Sequence, residues 1–128
     1  MSLTYFAVDR EEVLRKLRDA LRRDRRILIA VVFGSVLSSE HVRDVDIGLV
    51  THPPLTLKEL LVLAGRLELL IGVPVDLLPI TEVPPKLQYK MLASGKPLII
   101  RDKELYNKLT AFALGQLQDI EIKIRKLS

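Results

Sequence analysis

Three aspartates and a glycine-serine pair are the residues whose types and spacing could carry out chemistry. Gly34-Ser35 directly follows the short apolar run Ile27–Phe33, and Asp44 and Asp46 open the next apolar segment. Side chains alternate across a strand, so Asp44 and Asp46 would share one face of it. Asp76 is the only charged residue in a third apolar segment. If these segments are neighbouring strands, three carboxylates can meet on one face of a sheet.

Such a group of carboxylates predicts a site for a divalent cation and phosphate. Carboxylates that lie close together repel one another, and Mg²⁺ or Mn²⁺ relieves that repulsion. Glycine lets a phosphate approach the backbone, and the amides of the following turn, with the Ser35 hydroxyl, can donate to its oxygens. We therefore predict Asp44, Asp46 and Asp76 as catalytic metal ligands, with Gly34 and Ser35 binding the nucleotide.

Each of these residues also has a purely structural interpretation. A glycine-serine pair is most often a plain turn. Asp44 could merely open a strand, whereas Asp46 lies inside an apolar ladder, where an unpaired charge is costly. Asp76 could form a salt bridge with Arg43 or with an arginine near the N-terminus. The metal site is favoured because the three positions support one another.

Helices and strands alternate around these residues. We predict helices over 9–24, 56–71 and 84–94, a long helix after Asp102, and strands over 27–33, 44–50, 73–80 and 97–101. Asp9 with Glu12, and Thr56 with Glu59, have the spacing of capping boxes. This order indicates an α/β (α+β) fold in one domain, residues 1–128. The acidic site would lie on one face of a small mixed sheet, with helices packed on the other.

The motif Phe33-Gly34-Ser35, a loop, and Asp44-Val45-Asp46-Ile47 resembles the signature of the polymerase-beta-type nucleotidyltransferase superfamily. Within it, the sequence is most similar to the minimal nucleotidyltransferases, which are often encoded beside a HEPN-domain protein. The resemblance extends over most of the chain and includes the segments 74–77 and 95–102. It implies a palm-like core without added domains.

The resemblance also implies an activity. Asp44 and Asp46 would hold one or two Mg²⁺ ions, and Asp76 would complete the site and help to deprotonate the attacking hydroxyl. Gly34 and Ser35 would hold the β- and γ-phosphates. The acceptor oxygen would attack the α-phosphorus of a nucleotide, ATP or another NTP, and pyrophosphate would leave. Members of this kind can adenylylate a hydroxyl of the HEPN partner and thereby act as antitoxins.

Two departures from the family pattern lie in the loop between the motifs. Only eight residues, 36–43, separate Ser35 from Asp44, which is shorter than is usual in the family. Leu37-Ser38-Ser39 replaces the small-Arg-Gly run that usually follows the serine. These departures leave an alternative open, a binding module that has kept the fold, lost turnover and neutralises a partner by contact.

The composition of the chain limits the kinds of cross-link, metal site and membrane segment that it can contain. The chain has 128 residues, 48% apolar and 28% charged, with no cysteine, which excludes disulfides and thiolate metal sites. Its longest apolar run, 27–33, cannot span a bilayer, and no secretion leader is evident, so we expect a cytoplasmic protein. The scarcity of Asn, Met and Cys beside many charged residues resembles thermophile composition.

The basic residues are concentrated between Arg10 and Arg26, within a net charge of +4. They indicate either a solvated helix face or attraction to a polyanion. Without interleaved aromatic residues or any tryptophan, nucleic acid is an unlikely partner. A chain this small lacks an obvious acceptor-binding domain, so we expect a partner protein or a second copy to complete the site. The leucine-rich helix 56–71 and the heptad-like final helix are the candidate surfaces.

Overall fold

A computed structural model describes residues 4–127 of the chain. Its strands and helices follow one another in this order: β1 (Phe6–Ala7), α1 (Arg10–Arg22), β2 (Ile27–Phe33), β3 (His41–Val42), β4 (Val45–Thr51), α2 (Leu57–Ile71), β5 (Val75–Pro79), α3 (Pro85–Ser94), β6 (Lys96–Ile100) and α4 (Lys103–Leu127). Two short 3₁₀ turns, Ser35–Leu37 and Ile80–Glu82, follow β2 and β5. No helix within residues 4–127 is long and apolar enough to cross a membrane.

Four strands form the main sheet in the order β5-β4-β2-β6. β2 runs antiparallel to both β4 and β6, whereas β4 and β5 are parallel. The sheet is therefore mixed, as predicted. The carboxyl end of β2 lies at the same end of the sheet as the beginnings of β4 and β5. The sequence motifs therefore lie together at that end.

Hydrophobic side chains cover both faces of this sheet. On one face, Leu17 and Leu21 of α1 and Leu67 of α2 are buried against β2, β4 and β5. On the other face, Met91 and Leu92 of α3, with parts of α4, pack on the remaining side chains of β2. The α/β class is confirmed, but the expectation that helices lie on only one face was wrong. α3 and α4 also cover part of the face that carries the acidic residues, because alternate β2 side chains are apolar on both sides.

The helix ends follow the capping chemistry of the sequence. Thr56 and Glu59 form a reciprocal capping box at the start of α2, and Gly72 ends that helix in the left-handed conformation. Asp9 accepts a hydrogen bond from the amide of Glu12, although the glutamate does not return one. Asp102 caps α4 by accepting from the amide of Leu105 at 2.9 Å. These caps satisfy amides that have no partner within their helices.

The small sheet of β1 and β3 was not predicted. Phe6 pairs with Val42 and Ala7 with His41, across a sequence separation that gives no local signal. His41 and Val42 were expected to lie in a polar loop. Val42 is nonetheless buried in the core beside α1, which fixes the middle of the loop between the two motifs.

Candidate functional site

Asp46 and Asp76 lie side by side on one face of the sheet. They are register partners in the parallel pair formed by β4 and β5. Their neighbours Val45, Ile47 and Val75 point into the core on the opposite face. Because side chains alternate across a strand, the two carboxylates emerge on the same side. The predicted pairing of these two aspartates therefore occurs in the structure.

The glycine-serine turn meets Asp46 directly. Gly34 has a φ of 86°, a left-handed conformation that favours glycine, and a Cβ placed on it would lie 2.7 Å from Asp46 Oδ2. Phe33, the last residue of β2, is the register partner of Asp46. The turn and the acidic strand, which the sequence separates by a loop, are thus in van der Waals contact.

Carboxylates crowd around Asp46. Burial and the charges of Asp44 and Asp76 raise the pKa of Asp46 from 3.8 to about 6. Within residues 4–127, none of these three side chains forms a salt bridge or a side-chain hydrogen bond. The structural interpretation of Asp76, a salt bridge to Arg43 or to an N-terminal arginine, is therefore wrong. In the described part of the chain, no cationic side chain forms an ion pair with this group.

This crowding predicts that the charged form of Asp46 lowers the free energy of unfolding by an amount that depends on pH. The folded-state pKa of Asp46 lies above its ordinary value, so the native state binds protons more readily than the unfolded state between pH 3.8 and about 6. We expect Asp46→Asn to stabilise the protein above pH 6, and the gain to shrink and vanish as the pH falls through 6 toward 3.8. Denaturant unfolding in EDTA at several pH values measures it. A gain that did not vary with pH would contradict the proposed repulsion.

The donor set fits a hard divalent cation bound together with a substrate. Carboxylate oxygens are the ligands that Mg²⁺ prefers, and it usually retains waters or phosphate oxygens beside one or two carboxylates. In the part of the chain that the structure describes, no group of three or more acidic or histidine side chains is close enough to hold an ion by itself. Asp46 with a neighbouring aspartate would therefore need phosphate oxygens to complete the coordination.

Ser35 begins the 3₁₀ turn beside this acidic group and is exposed, as is Gly34. The first amides of a helical turn have no partner inside it, so the amides of Ser35 and Val36 can donate to an anion. Arg10 of α1 donates from Nε to the Val36 carbonyl at 2.8 Å. This hydrogen bond links α1 to the turn and holds the turn in place. This contact has no signal in the sequence, because nothing local links α1 to the turn.

An apolar depression lies along the outer edge of β5, and Asp76 is among its lining residues. This depression has a volume of about 440 Å³ and is bounded by α2 on one side and by β5, including Asp76, on the other. Leu57 and Leu61 of α2 line it with 73% and 64% of their surface exposed. β5 is an edge strand, so its outer edge is unpaired in the sheet. An apolar surface thus adjoins the carboxylates.

Comparisons with known proteins agree with this geometry. The family model of the polymerase beta nucleotidyltransferases matches residues 15–104. No curated protein matches the chain. Among solved structures, the chain is similar to one from a complex of tri-AMPylated Shewanella oneidensis HEPN toxin with MNT antitoxin, with 18% identity, a TM-score of 0.74, and coverage of 93% of this chain and 95% of that one.

Two other solved structures have the same fold. One is from the toxin-antitoxin MntA-HepT, with 17% identity, a TM-score of 0.71, and coverage of 91% of this chain and 94% of that one. The other is from a toxin-antitoxin with AMP-PNP, with 18% identity, a TM-score of 0.70, and coverage of 94% and 95%. At these identities the likeness concerns the fold.

Proposed function

Because the chain belongs to the polymerase beta nucleotidyltransferase family, we propose that it transfers AMP from ATP to a hydroxyl of a partner protein, with Mg²⁺ at the acidic site. One observation carries this proposal. Asp46 touches the Gly34 turn and shares its face of the sheet with Asp76. A phosphate held by the turn would therefore lie beside carboxylates that need a cation.

Each residue of the site has a role in this reaction. The amide groups that follow Gly34, together with the Ser35 hydroxyl, would hold the β- and γ-phosphates. Asp44, Asp46 and Asp76 would hold magnesium, which when bound neutralises phosphate charge and polarises the α-phosphorus. The acceptor oxygen then bonds to the α-phosphorus, the bond to pyrophosphate breaks, and the hydroxyl proton passes to Asp76.

The acceptor is best sought in a HEPN-domain protein. Solved structures of this fold include an MNT antitoxin in complex with a tri-AMPylated HEPN toxin and a toxin-antitoxin with AMP-PNP. By this proposal, that partner brings the acceptor hydroxyl to the exposed site. By this proposal the protein is an antitoxin that modifies its partner.

A labelling reaction tests the proposal. The protein is incubated with α-labelled ATP and Mg²⁺, with and without a HEPN-domain protein as the candidate partner. Covalent label on that protein, dependent on both the enzyme and Mg²⁺, is the expected result. Tight binding of the partner without any label would instead establish the binding module that neutralises by contact.

We further propose that the depression between α2 and β5 receives the acceptor protein. Asp76 is among its lining residues, so a segment that leaves the depression across the outer edge of β5 would bring its hydroxyl to the carboxylates on the other face. The sequence predicted α2 as a candidate partner surface, and Leu67 is its only fully buried residue in the described chain. Its exposed leucines lie in contact with water unless a partner covers them.

Charge placed in this depression should impair transfer to protein without impairing nucleotide binding. We expect the double variant Leu57→Lys and Leu61→Lys to lower labelling of the partner at least about tenfold, because apolar contact worth about 1.5–3 kcal/mol per leucine is lost. Leu69→Lys is the matched control, since Leu69 is 90% exposed on the same helix and does not line the depression. If the double variant and this control labelled the partner equally, the depression would not be part of the acceptor site.

A further inference from the structure

A second cavity, at the opposite end of the sheet, is lined by arginines. It has a volume of about 470 Å³ and lies where α1 ends, β2 begins and the middle of α2 passes. Four arginines line it: Arg23, Arg25, Arg26 and Arg66. Asp24 is its one acidic residue, and the rest of its wall is the apolar surface of α1 and α2. Its volume is within the range of small-molecule sites.

Of these four arginines, only Arg26 forms ion pairs within residues 4–127. Arg26 donates to both Asp24 and Glu59, and its side chain holds the pKa of Asp24 below the usual range. Within residues 4–127, Arg23, Arg25 and Arg66 form no salt bridge or side-chain hydrogen bond. In the described chain, the cavity therefore has three arginines without an ion pair. The fourth, Arg26, is held in place by Asp24 and Glu59.

The basic surface extends beyond this cavity on both sides. A neighbouring depression shares Arg23 and includes Arg15 and Lys16 of α1, which form ion pairs with Asp19 and Glu12. Another shares Arg26 and Arg66 and adds Lys58 of α2. The three depressions together form a basic groove along the contact between α1 and α2. A ligand with several negative charges would contact more than one of them.

This groove is separate from the acidic site. It lies before β2, whereas the Gly34 turn lies after it, and a seven-residue strand spans about 23 Å. It is also on the α1 and α2 face of the sheet, opposite to Asp46. The two sites have opposite charge, so the groove is not an extension of the nucleotide site.

We propose that the arginine-lined cavity binds a phosphate-bearing ligand. Guanidinium groups are planar forks that bind phosphate oxygens in pairs, and this cavity presents arginine and no lysine. The phosphates could belong to a free polyphosphate or nucleotide, or to the backbone of a single-stranded RNA. The groove lacks aromatic residues for stacking bases, so recognition rests on the phosphates.

Binding measurements in EDTA separate this site from the acidic one, which requires a cation. The probes are inorganic tripolyphosphate, followed by calorimetry, and a short oligouridylate, followed by fluorescence anisotropy. We expect the triple variant Arg23→Gln, Arg25→Gln and Arg66→Gln to bind at least tenfold more weakly. The matched control, Lys103→Gln, Lys123→Gln and Lys126→Gln, removes the same charge from α4 and should change binding less than threefold.

The two probes distinguish the two sources of phosphate. Tight binding of tripolyphosphate that RNA does not exceed identifies a free polyphosphate ligand. Much tighter binding of RNA, with a salt dependence whose slope falls by about 2 in the triple variant, identifies a phosphate backbone. Failure of the wild-type protein to bind either probe, or equal losses in the two triple variants, would overturn the proposal. Arg66→Gln alone, at an exposed position, repeats the test with the least risk to folding.

Discussion

Asp46→Asn is expected to reduce the transfer of labelled AMP at least about a thousandfold, which corresponds to about 4 kcal/mol of the activation barrier. Asp46 is the one carboxylate of the site that contacts the Gly34 turn and also faces Asp76. Asparagine has nearly the same shape but carries no charge. It would leave the contact with the turn in place while removing the group on which cation binding depends.

The folded structure should survive this substitution. Burial, together with the charges of Asp44 and Asp76, raises the pKa of Asp46 to about 6, so removing its charge relieves both costs at neutral pH. A loss of activity that accompanies unchanged or increased stability can therefore be assigned to the site. The measurement is the rate of labelling of the partner protein, with a melting curve of the same preparation.

Asp119→Asn is the matched control for this experiment. Asp119 is exposed on α4, where no nucleotide contact is proposed, and its replacement removes the same charge. We expect labelling within about twofold of wild type, since exposed substitutions rarely change stability by more than about 0.5 kcal/mol. If Asp46→Asn retained more than a tenth of the wild-type rate, the acidic site would not be the catalytic one.

Gly95→Ala should have the largest effect on stability among substitutions of glycine by alanine. A Cβ at this position would lie 2.3 Å from the Met91 carbonyl oxygen and 3.1 Å from that of Val32. Both contacts are with backbone atoms, so no side chain can rotate away to make room. We expect a loss of about 3 kcal/mol and a fall in Tm on the order of 10 °C.

This effect would reach the acidic face of the sheet. Gly95 joins α3 to β6, and Met91 of α3 packs against Gly48 of β4, two residues after Asp46. An alanine that pushed the end of α3 away from β2 would therefore loosen the packing beneath the site. Labelling of the partner should fall together with Tm.

Gly65→Ala provides the matched control. Gly65 lies inside α2, and a Cβ there would meet nothing within 4 Å. Alanine is the better helix former, so this variant should gain about 0.5–1 kcal/mol. The comparison is made by denaturant unfolding of both variants. A Gly95→Ala protein as stable as wild type would show that the close approach of α3 to β2 is relaxed in solution.

The local elements were predictable because their signals are local. The β-branched run before Gly34 became β2 with the predicted bounds, and the capping residues Thr56 and Asp102 mark the starts of their helices. Hydrophobic periodicity and caps act over a few residues, so a single sequence contains them in full. The same alternation indicated that Asp44 and Asp46 share a face.

Contacts between distant segments could not be predicted from the sequence. The β1–β3 pair joins strands of two residues each, too short to show any periodicity. The Arg10 contact with the Val36 carbonyl depends on how α1 lies across the sheet. The placement of helices on both faces likewise depended on which side chains of β2 each helix met.

By itself, the sequence determined the four helices, the strands of the main sheet, and the glycine-serine turn that precedes the acidic strand. Only the tertiary structure decided that Asp76 lies beside Asp46, because this requires β5 to pair with β4 in parallel and in one particular register. A shift of one residue would have turned Asp76 to the opposite face. Only the tertiary structure, too, brought the arginines between α1 and β2 together with Arg66 of α2 around one cavity, since their proximity depends on packing between segments.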